Sequence, residues 1–189
     1  EDDLSLGATI RSRWAYACSK ALDEWLGFAY QREKGVPVTV VRFFNTVGPR
    51  QVGHYGMVLP NFARQAIKGE PITVYGDGKQ SRCFGHVADA VEAVLRLMGT
   101  PDAAGQVFNV GADREVSILE LAELVKERAG STSPIEFVPY ESAYAEGFED
   151  MPRRVPCVEK LLRVTGFRPE TPLEQIIDDV IEDQRERNE

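Results

Sequence analysis

Tyr16-Ala-Cys-Ser-Lys20 sets a phenol and an amine four residues apart, at the start of a segment with helical apolar spacing. Residues i and i+4 share a helix face, so the two side chains can meet. An ammonium beside a phenol favours the phenolate. A phenolate so held can take a proton from a substrate hydroxyl. The pattern Y-x-x-x-K also arises by chance, so its weight depends on its surroundings. Arg82 lies between a Gly-rich turn and an aromatic residue, and Arg153 and Arg154 follow an acidic stretch and precede Pro156. Guanidinium donors match phosphate oxygens, which makes these arginines candidates for pyrophosphate recognition. The plainer alternative is a surface ion pair with nearby carboxylates. Asn45 can donate to a substrate oxygen or close an Asx turn on its own backbone. Tyr75 can stack on a base or simply be a half-buried strand aromatic. His54, His86, Cys18 and Cys83 read as side chains that pack or hydrogen-bond locally.

These residues need elements to position them. Ala15, Cys18, Leu22, Trp25, Leu26 and Ala29 recur at helical spacing over 14–34, and Ala21 and Phe28 widen the stripe. That width predicts a helix covered on two sides. Gly35-Val36-Pro37 ends it. The β-branched and aromatic run 38–44 does not alternate and predicts a buried strand of a parallel sheet. The loop 45–50 then falls at the carboxyl end of that strand, where open α/β sheets bind ligands. Helices are expected over 57–68 and 87–98, the second with Ala90, Val91, Val94, Leu95 and Met98 inward. Strands are expected at 72–75 and 106–110, with an extended piece at 82–87 and a further strand at 135–138. Ser117 and Glu120 form the S-x-x-E signature of a capping box, opening a helix to about residue 129. Residues 140–151 read as an acidic loop, and two helices, near 158–165 and 173–187, close the chain.

The 189 residues carry a net charge of −8 and are 43% apolar, with a pI of about 5.0. This is a globular composition with enough apolar mass for a sizeable core. Its sign argues against nonspecific nucleic-acid binding. No apolar run is long enough to span a membrane as a helix. Three widely spaced cysteines form neither a disulfide framework nor a zinc pattern, and two histidines exclude a His-rich metal centre. Reduced thiols and a cytoplasmic location are the expectation. No G-x-G-x-x-G and no Walker A is present, so the chain has no dinucleotide phosphate loop of its own.

Five stretches occur in one order: Tyr16 to Lys20, Arg42-Phe-Phe-Asn-Thr-Val-Gly-Pro-Arg50, Tyr75-Gly-Asp-Gly-Lys-Gln-Ser-Arg82-Cys-Phe, Phe108-Asn-Val-Gly111 and Arg153-Arg-Val-Pro156. Together they resemble the carboxyl-terminal half to two-thirds of an extended short-chain dehydrogenase/reductase. More narrowly, the chain resembles the NAD-dependent nucleotide-sugar epimerase/dehydratase family, which includes UDP-glucose 4-epimerases and UDP-glucuronate decarboxylases. The resemblance implies an α/β fold with the last strands of a Rossmann-like parallel sheet and a small α/β substrate-binding lobe. It assigns residues 1–50 to a remnant of the dinucleotide-binding domain. Residues 51–189 fall mainly to the substrate lobe, with a return strand and helix to the sheet near 87–128.

The same resemblance implies roles. Tyr16 matches the family's base and Lys20 the lysine that tunes it and holds the nicotinamide ribose, while Phe43 lies beside the nicotinamide of NAD. Asn45 matches a pyrophosphate contact, Thr73 and Tyr75 sit where uracil is held, and Arg82 and Arg154 match the pyrophosphate clamps, with Arg153 the alternative to the second. The implied activity is NAD-dependent 4-epimerisation of a UDP-sugar, with UDP-glucuronate decarboxylation, 4,6-dehydration, or non-catalytic UDP-sugar binding or assembly as alternatives. A homodimer through the Tyr16–Lys20 helix is implied too. Three departures stand against a full carry-over. The Gly-rich NAD motif and the catalytic Ser or Thr both precede the tyrosine in the family and have no counterpart here, and Cys157 stands where relatives carry Asp. A chain without the first two is expected to be part of a longer protein and inactive alone.

Overall fold

The structure is a computed structural model that describes residues 5–11, 13–53, 57–140 and 151–187. Helix α1 spans Arg13–Lys34 and runs into strand β1, Thr39–Phe43. Three ties fix the helix on the strand. Glu24 takes a bidentate bond from Arg42 at 2.6 and 2.7 Å. Gly27 lies against Val38, where an added Cβ would meet the valine at 3.1 Å. Gln31 accepts from the Val38 backbone N–H at 3.3 Å. The later helix residue therefore meets the earlier strand residue, so α1 and β1 run antiparallel. Residues 16, 20, 24, 27 and 31 fall within an arc of roughly 80° at 100° per residue. Tyr16 and Lys20 thus prolong the strand-facing stripe past the carboxyl end of β1.

Strand β2 is Thr46–Val47, followed by helix α2, Val58–Lys68, strand β3, Ile72–Tyr75, and strands β4 and β5, Ser81–Cys83 and Gly85–His86. Helix α3, Val87–Met98, is capped by the His86 side chain, which accepts from the Ala88 N–H. Strand β6, Gln106–Val110, lies parallel to β1 in the register Thr39↔Gln106 to Phe43↔Val110. Parallel pairing is what the non-alternating β-branched run predicts. Just past it the backbones crowd: a Cβ on Gly111 would stand 2.8 Å from Phe44 Cβ and 3.0 Å from Phe44 O. Only glycine lets the two strand ends close there.

Strand β7, Glu115–Ser117, leads into helix α4, Ile118–Arg128, through the capping box. Ser117 Oγ accepts from the Glu120 N–H at 3.1 Å, and Glu120 takes the Ser117 N–H at 2.9 Å. Strand β8, Ile135–Val138, runs parallel to β3. Strand β9, Arg153–Arg154, and helices α5, Glu159–Thr165, and α6, Leu173–Glu186, complete the described chain. Strand β4 sits between β7, antiparallel, and β9, parallel.

Two cores result. One joins β3, α2, α4 and α6 through residues such as Leu59, Ile72, Leu121, Ile176 and Ile177. The other joins β1, α3, β6 and α5 around Phe108, Val110 and Leu161. Burying each such side chain contributes roughly 1.5–3 kcal/mol. Residues 87–110 thus return to β1, whereas α4 joins the other core.

Three burial expectations are corrected. Helix α1 is not covered on two sides among the described residues: Leu22, Leu26 and Tyr30 are exposed and Trp25 is 59% exposed. On α3 the inward residues are Ala90, Ala93 and Leu97, while Val91, Leu95 and Met98 (79%) face out. The strand at 38–44 is half-buried rather than buried, with Phe43 55% exposed. The cause is common to all three. Among the described residues β1 has one strand neighbour, and nothing lies on the outer stripes of α1 and α3. The acidic loop expected at 140–151, apart from its ends, lies outside the described residues. No described helix is long and apolar enough to cross a membrane.

Cys18 and Cys157 are exposed, whereas Cys83 is buried. Burial first, then the nearby Glu115 and Asp113 carboxylates, push the Cys83 thiol up to about 11. Since the thiolate is the nucleophile, an aromatic disulfide reagent at pH 8 should label two thiols per native chain within minutes. The third should react only in denaturant. Rapid labelling of all three would contradict the packing of β4.

Candidate functional site

The cavity at the carboxyl end of β1 encloses about 900 Å³ and is lined from α2, β3, β4, β9 and the loop after β1. Asn45, Thr73, Tyr75, Arg82 and Arg154 all line it. Its charge is notable against the whole chain. Among the described residues three arginines, Arg64, Arg82 and Arg154, line the cavity and no carboxylate does, in a chain with 30 acidic residues.

Pairing of β4 with β9 puts Arg82 and Arg154 opposite one another in register. Neighbouring strands lie about 4.8 Å apart, and like charges so placed repel. Arg82 Nη1 donates to the Ser81 carbonyl at 2.7 Å, and Arg154 Nη2 donates to Asn45 Oδ1. Two forked guanidiniums so placed can offer an anion several parallel donors.

Asn45 is held in a left-handed backbone with φ +36°, a region that asparagine tolerates better than most residues. Its carbonyl accepts from the Gly85 N–H at 3.2 Å and its Nδ2 donates to the Cys83 carbonyl at 2.8 Å. An amide nitrogen carries two hydrogens, so one remains for a ligand oxygen. The Asx-turn alternative is thereby corrected: the side chain reaches across to β4 and β9 rather than to its own backbone.

At the opposite end, Thr73 and Tyr75 lie on the β3 edge that faces away from β8. The Thr73 N–H donates to Gln65 Oε1 at 3.1 Å and Thr73 Oγ1 accepts from Gln65 Nε2 at 3.0 Å. The Tyr75 carbonyl accepts from Gln80 Nε2 at 3.0 Å. Gln51, Gln65, Gln80 and Tyr140 also line the cavity, and none of them was marked by the sequence. A glutamine has no spacing signature, and only the strand pairings bring these four together.

Tyr16 and Lys20 are not in this cavity. They share a face, as expected, with Lys20 Nζ 5.9 Å from the Tyr16 ring centre. Tyr16 is 71% exposed. The ammonium bonds Asp23 at 2.8 Å, and that bond holds the lysine above its ordinary value. So exposed a pair adds little stability. Arg153 departs from the cluster too. It is exposed and pairs with Glu115 at 3.0 and 3.1 Å, the ion pair that its residue type allowed. Cys157 is exposed and gives only its carbonyl, to Asn109 Nδ2 at 3.1 Å. His86 caps α3 and reaches Asp179 at 3.3 Å. His54 lies outside the described residues. No group of metal-ligating side chains occurs among the described residues.

Residues 1–111 match the NAD dependent epimerase/dehydratase family. The chain belongs to this family. It is 43% identical over 183 residues to the UDP-N-acetyl-alpha-D-glucosaminuronate decarboxylase of Bacillus cytotoxicus, covering 96% of this chain and 56% of that protein. It is 37% identical over 166 residues to UDP-glucuronic acid decarboxylase 1 of Xenopus tropicalis, covering 88% of this chain and 38% of that one. Among solved structures, the UDP-glucose 4-epimerase of Thermotoga maritima, with UDP-glucose, superposes with a TM-score of 0.84 at 28% identity, covering 92% of this chain and 54% of that chain. The chain thus spans about half the length of the family members it matches, or less. Its α/β architecture is the Rossmann-like one expected from the sequence.

The ion pair with Glu115 holds Arg153 outside the cavity. The Ser81 hydroxyl first, then Arg153, hold the Glu115 carboxyl below the usual glutamate range. A lowered native value means that stability is present above the unfolded pKa, about 4.3, and is lost as pH falls through the native one. Urea unfolding should therefore find Glu115→Gln less stable than wild type at pH 7 and 5. The gap should shrink through pH 4 to pH 3. A gap independent of pH would exclude the carboxylate as its source.

Proposed function

We propose that this chain forms the nucleotide-sugar-binding part, together with the Tyr–Lys helix, of an NAD-dependent enzyme acting on a UDP-sugar. One observation carries the reading: two register-adjacent guanidiniums and Asn45 line one cavity at the carboxyl end of a parallel strand. In this reading Arg82 and Arg154 bind the diphosphate, Asn45 adds its remaining amide hydrogen, and the β3 edge at Thr73 and Tyr75 receives the uracil. Arg153, in its ion pair with Glu115, takes no part.

The residues fit one end of the cofactor. Tyr16 and Lys20 stand past the end of β1, and Phe43, the last residue of that strand, presents an open ring there. These three would hold the nicotinamide riboside end. Bound NAD supplies the oxidising equivalent for C4 of the sugar. Lys20 stabilises the Tyr16 phenolate and binds the ribose, and that phenolate takes the proton from the C4 hydroxyl and becomes the neutral phenol. The dinucleotide phosphates need a Gly-rich loop that these 189 residues do not contain.

Of the outcomes open to the C4 ketone, the relatives named above support two. A 4-epimerase returns the reducing equivalent to the other face of the sugar. If C5 bears a carboxylate, the 4-ketone makes it a β-keto acid, which loses carbon dioxide. The relatives in sequence named above are decarboxylases, and this supports decarboxylation over the 4-epimerisation that the motifs alone suggested. The similarity to a UDP-glucose 4-epimerase supports epimerisation as the second reading.

Titration calorimetry with UDP tests the core of this. Wild type should bind, and Arg82→Ala or Arg154→Ala should weaken binding about ten- to a hundredfold, the loss of a charge-assisted contact. Tyr16→Phe should leave UDP affinity within about twofold while abolishing turnover in protein supplied with its cofactor-binding part. Unchanged affinity in both arginine variants would remove the diphosphate from the cavity.

The exposed stripe of α1, with Leu22, Trp25, Leu26 and Tyr30, supports a homodimer through this helix. Light scattering after size exclusion should give a mass about twice that of the chain, and Trp25→Glu should shift it toward the monomer. A wild-type monomer whose mass does not change with concentration would sink the dimer.

A further inference from the structure

One polar atom in the cavity has no assigned use. Gln51 Oε1 is buried and has no hydrogen-bond partner among the described residues, although Gln51 lines the cavity. Native proteins rarely leave a buried acceptor unmet. Its amide is not free to turn over. Nε2 donates to the Thr46 carbonyl at 3.3 Å and lies 3.7 Å from Met57 Sδ. The opposite orientation would set two oxygens against each other at Thr46. The left-handed backbone of Arg50, φ +67°, turns the loop immediately before Gln51. Gly48 pins the loop from below, since a Cβ there would stand 2.6 Å from Val87. The Gln51 carbonyl oxygen is therefore a fixed acceptor in the wall of the cavity.

The chemistry of that acceptor limits what it meets. A carbonyl oxygen cannot bond a phosphate oxygen, so its partner is a hydroxyl or an amide N–H. Contacts across the cavity give the order of its parts. The Tyr75 carbonyl bonds Gln80, two residues before Arg82. Arg82 pairs in register with Arg154. Arg154 bonds Asn45, Asn45 adjoins Thr46, and the Thr46 carbonyl bonds Gln51. Through Thr46 and Asn45, Gln51 adjoins the guanidinium end of the cavity. With the base at β3 and the diphosphate at the arginines, the sugar falls to Gln51.

We propose that Gln51 is a specificity-determining residue, whose Oε1 accepts a hydrogen bond from a hydroxyl or amide N–H of the sugar moiety. The inference rests on the UDP-sugar reading above. The test measures the affinities of the 189-residue chain for UDP and for UDP-glucose by calorimetry and compares their ratio between variants. Gln51→Met keeps the length of the side chain and removes the acceptor. It should weaken UDP-glucose about tenfold, the scale of one neutral hydrogen bond, and leave UDP within about twofold. Gln51→Glu keeps an acceptor oxygen. It should weaken both ligands through its charge and preserve their wild-type ratio. Thermal unfolding is recorded for each variant, and Gln51→Leu replaces Gln51→Met if the latter unfolds early. An unchanged ratio in the variant lacking the acceptor overturns the proposal, whether both affinities hold or both fall together. Wild type that binds neither ligand overturns the UDP-sugar reading itself, a distinct result.

Discussion

The site depends on how Asn45 is held. Its backbone turns left-handed as β1 ends, its carbonyl takes the Gly85 N–H, and its side-chain amide joins the Cys83 carbonyl to Arg154. One residue thereby connects the β1–β6 pair to the β7-β4-β9 sheet. The two cores meet at this connection. The arginines are brought together by β4–β9 pairing, but their position relative to the end of β1 is set through Asn45. A substitution here would disturb three contacts at once, at a backbone geometry costly to most other side chains.

Charge is arranged on the same plan. The chain is acidic overall, and many of its arginines are spent on carboxylates: Arg42 on Glu24, Arg114 on Glu174, Arg128 on Asp178 and Arg153 on Glu115. Arg82 and Arg154 also bond the Ser81 carbonyl and Asn45 Oδ1, respectively. Among the described residues the cavity lining holds three arginines and no carboxylate. A net negative protein can in this way bind a negative ligand through a local field.

Much of the architecture was legible in the chain itself. Long periodic segments gave α1, α2, α3, α4 and α6, and the non-alternating run before Asn45 gave β1. The capping box at Ser117 marked the start of α4 to the residue. What was not legible falls in two groups. Strands of two or three residues, such as β2, β5, β7 and β9, are too short for any period to register, and they exist because neighbouring backbones supply partners. The outward faces of α1 and α3 read as buried because apolar side chains recur on more than one side, and a sequence does not say whether a covering element belongs to the same stretch of chain. At the site, Arg82 and Asn45 stood out because motifs marked them. The resemblance preferred Arg154 to Arg153, and the pleat, which sends adjacent side chains of a strand to opposite faces, puts Arg154 and not Arg153 in the described cavity lining.

The ties that seat α1 on β1 lie at Glu24, Gly27 and Gln31, all in the later part of the helix. Tyr16 stands eight residues beyond the nearest of them, so the helix overhangs the strand as a cantilever roughly 12 Å long. Tilting such a beam by about 5° sweeps its tip through about 1 Å, a displacement that can slow a reaction about a hundredfold. The bond between Arg42 and Glu24 is the fulcrum, and under the proposed role of Tyr16 its stiffness would govern how accurately the phenol is delivered.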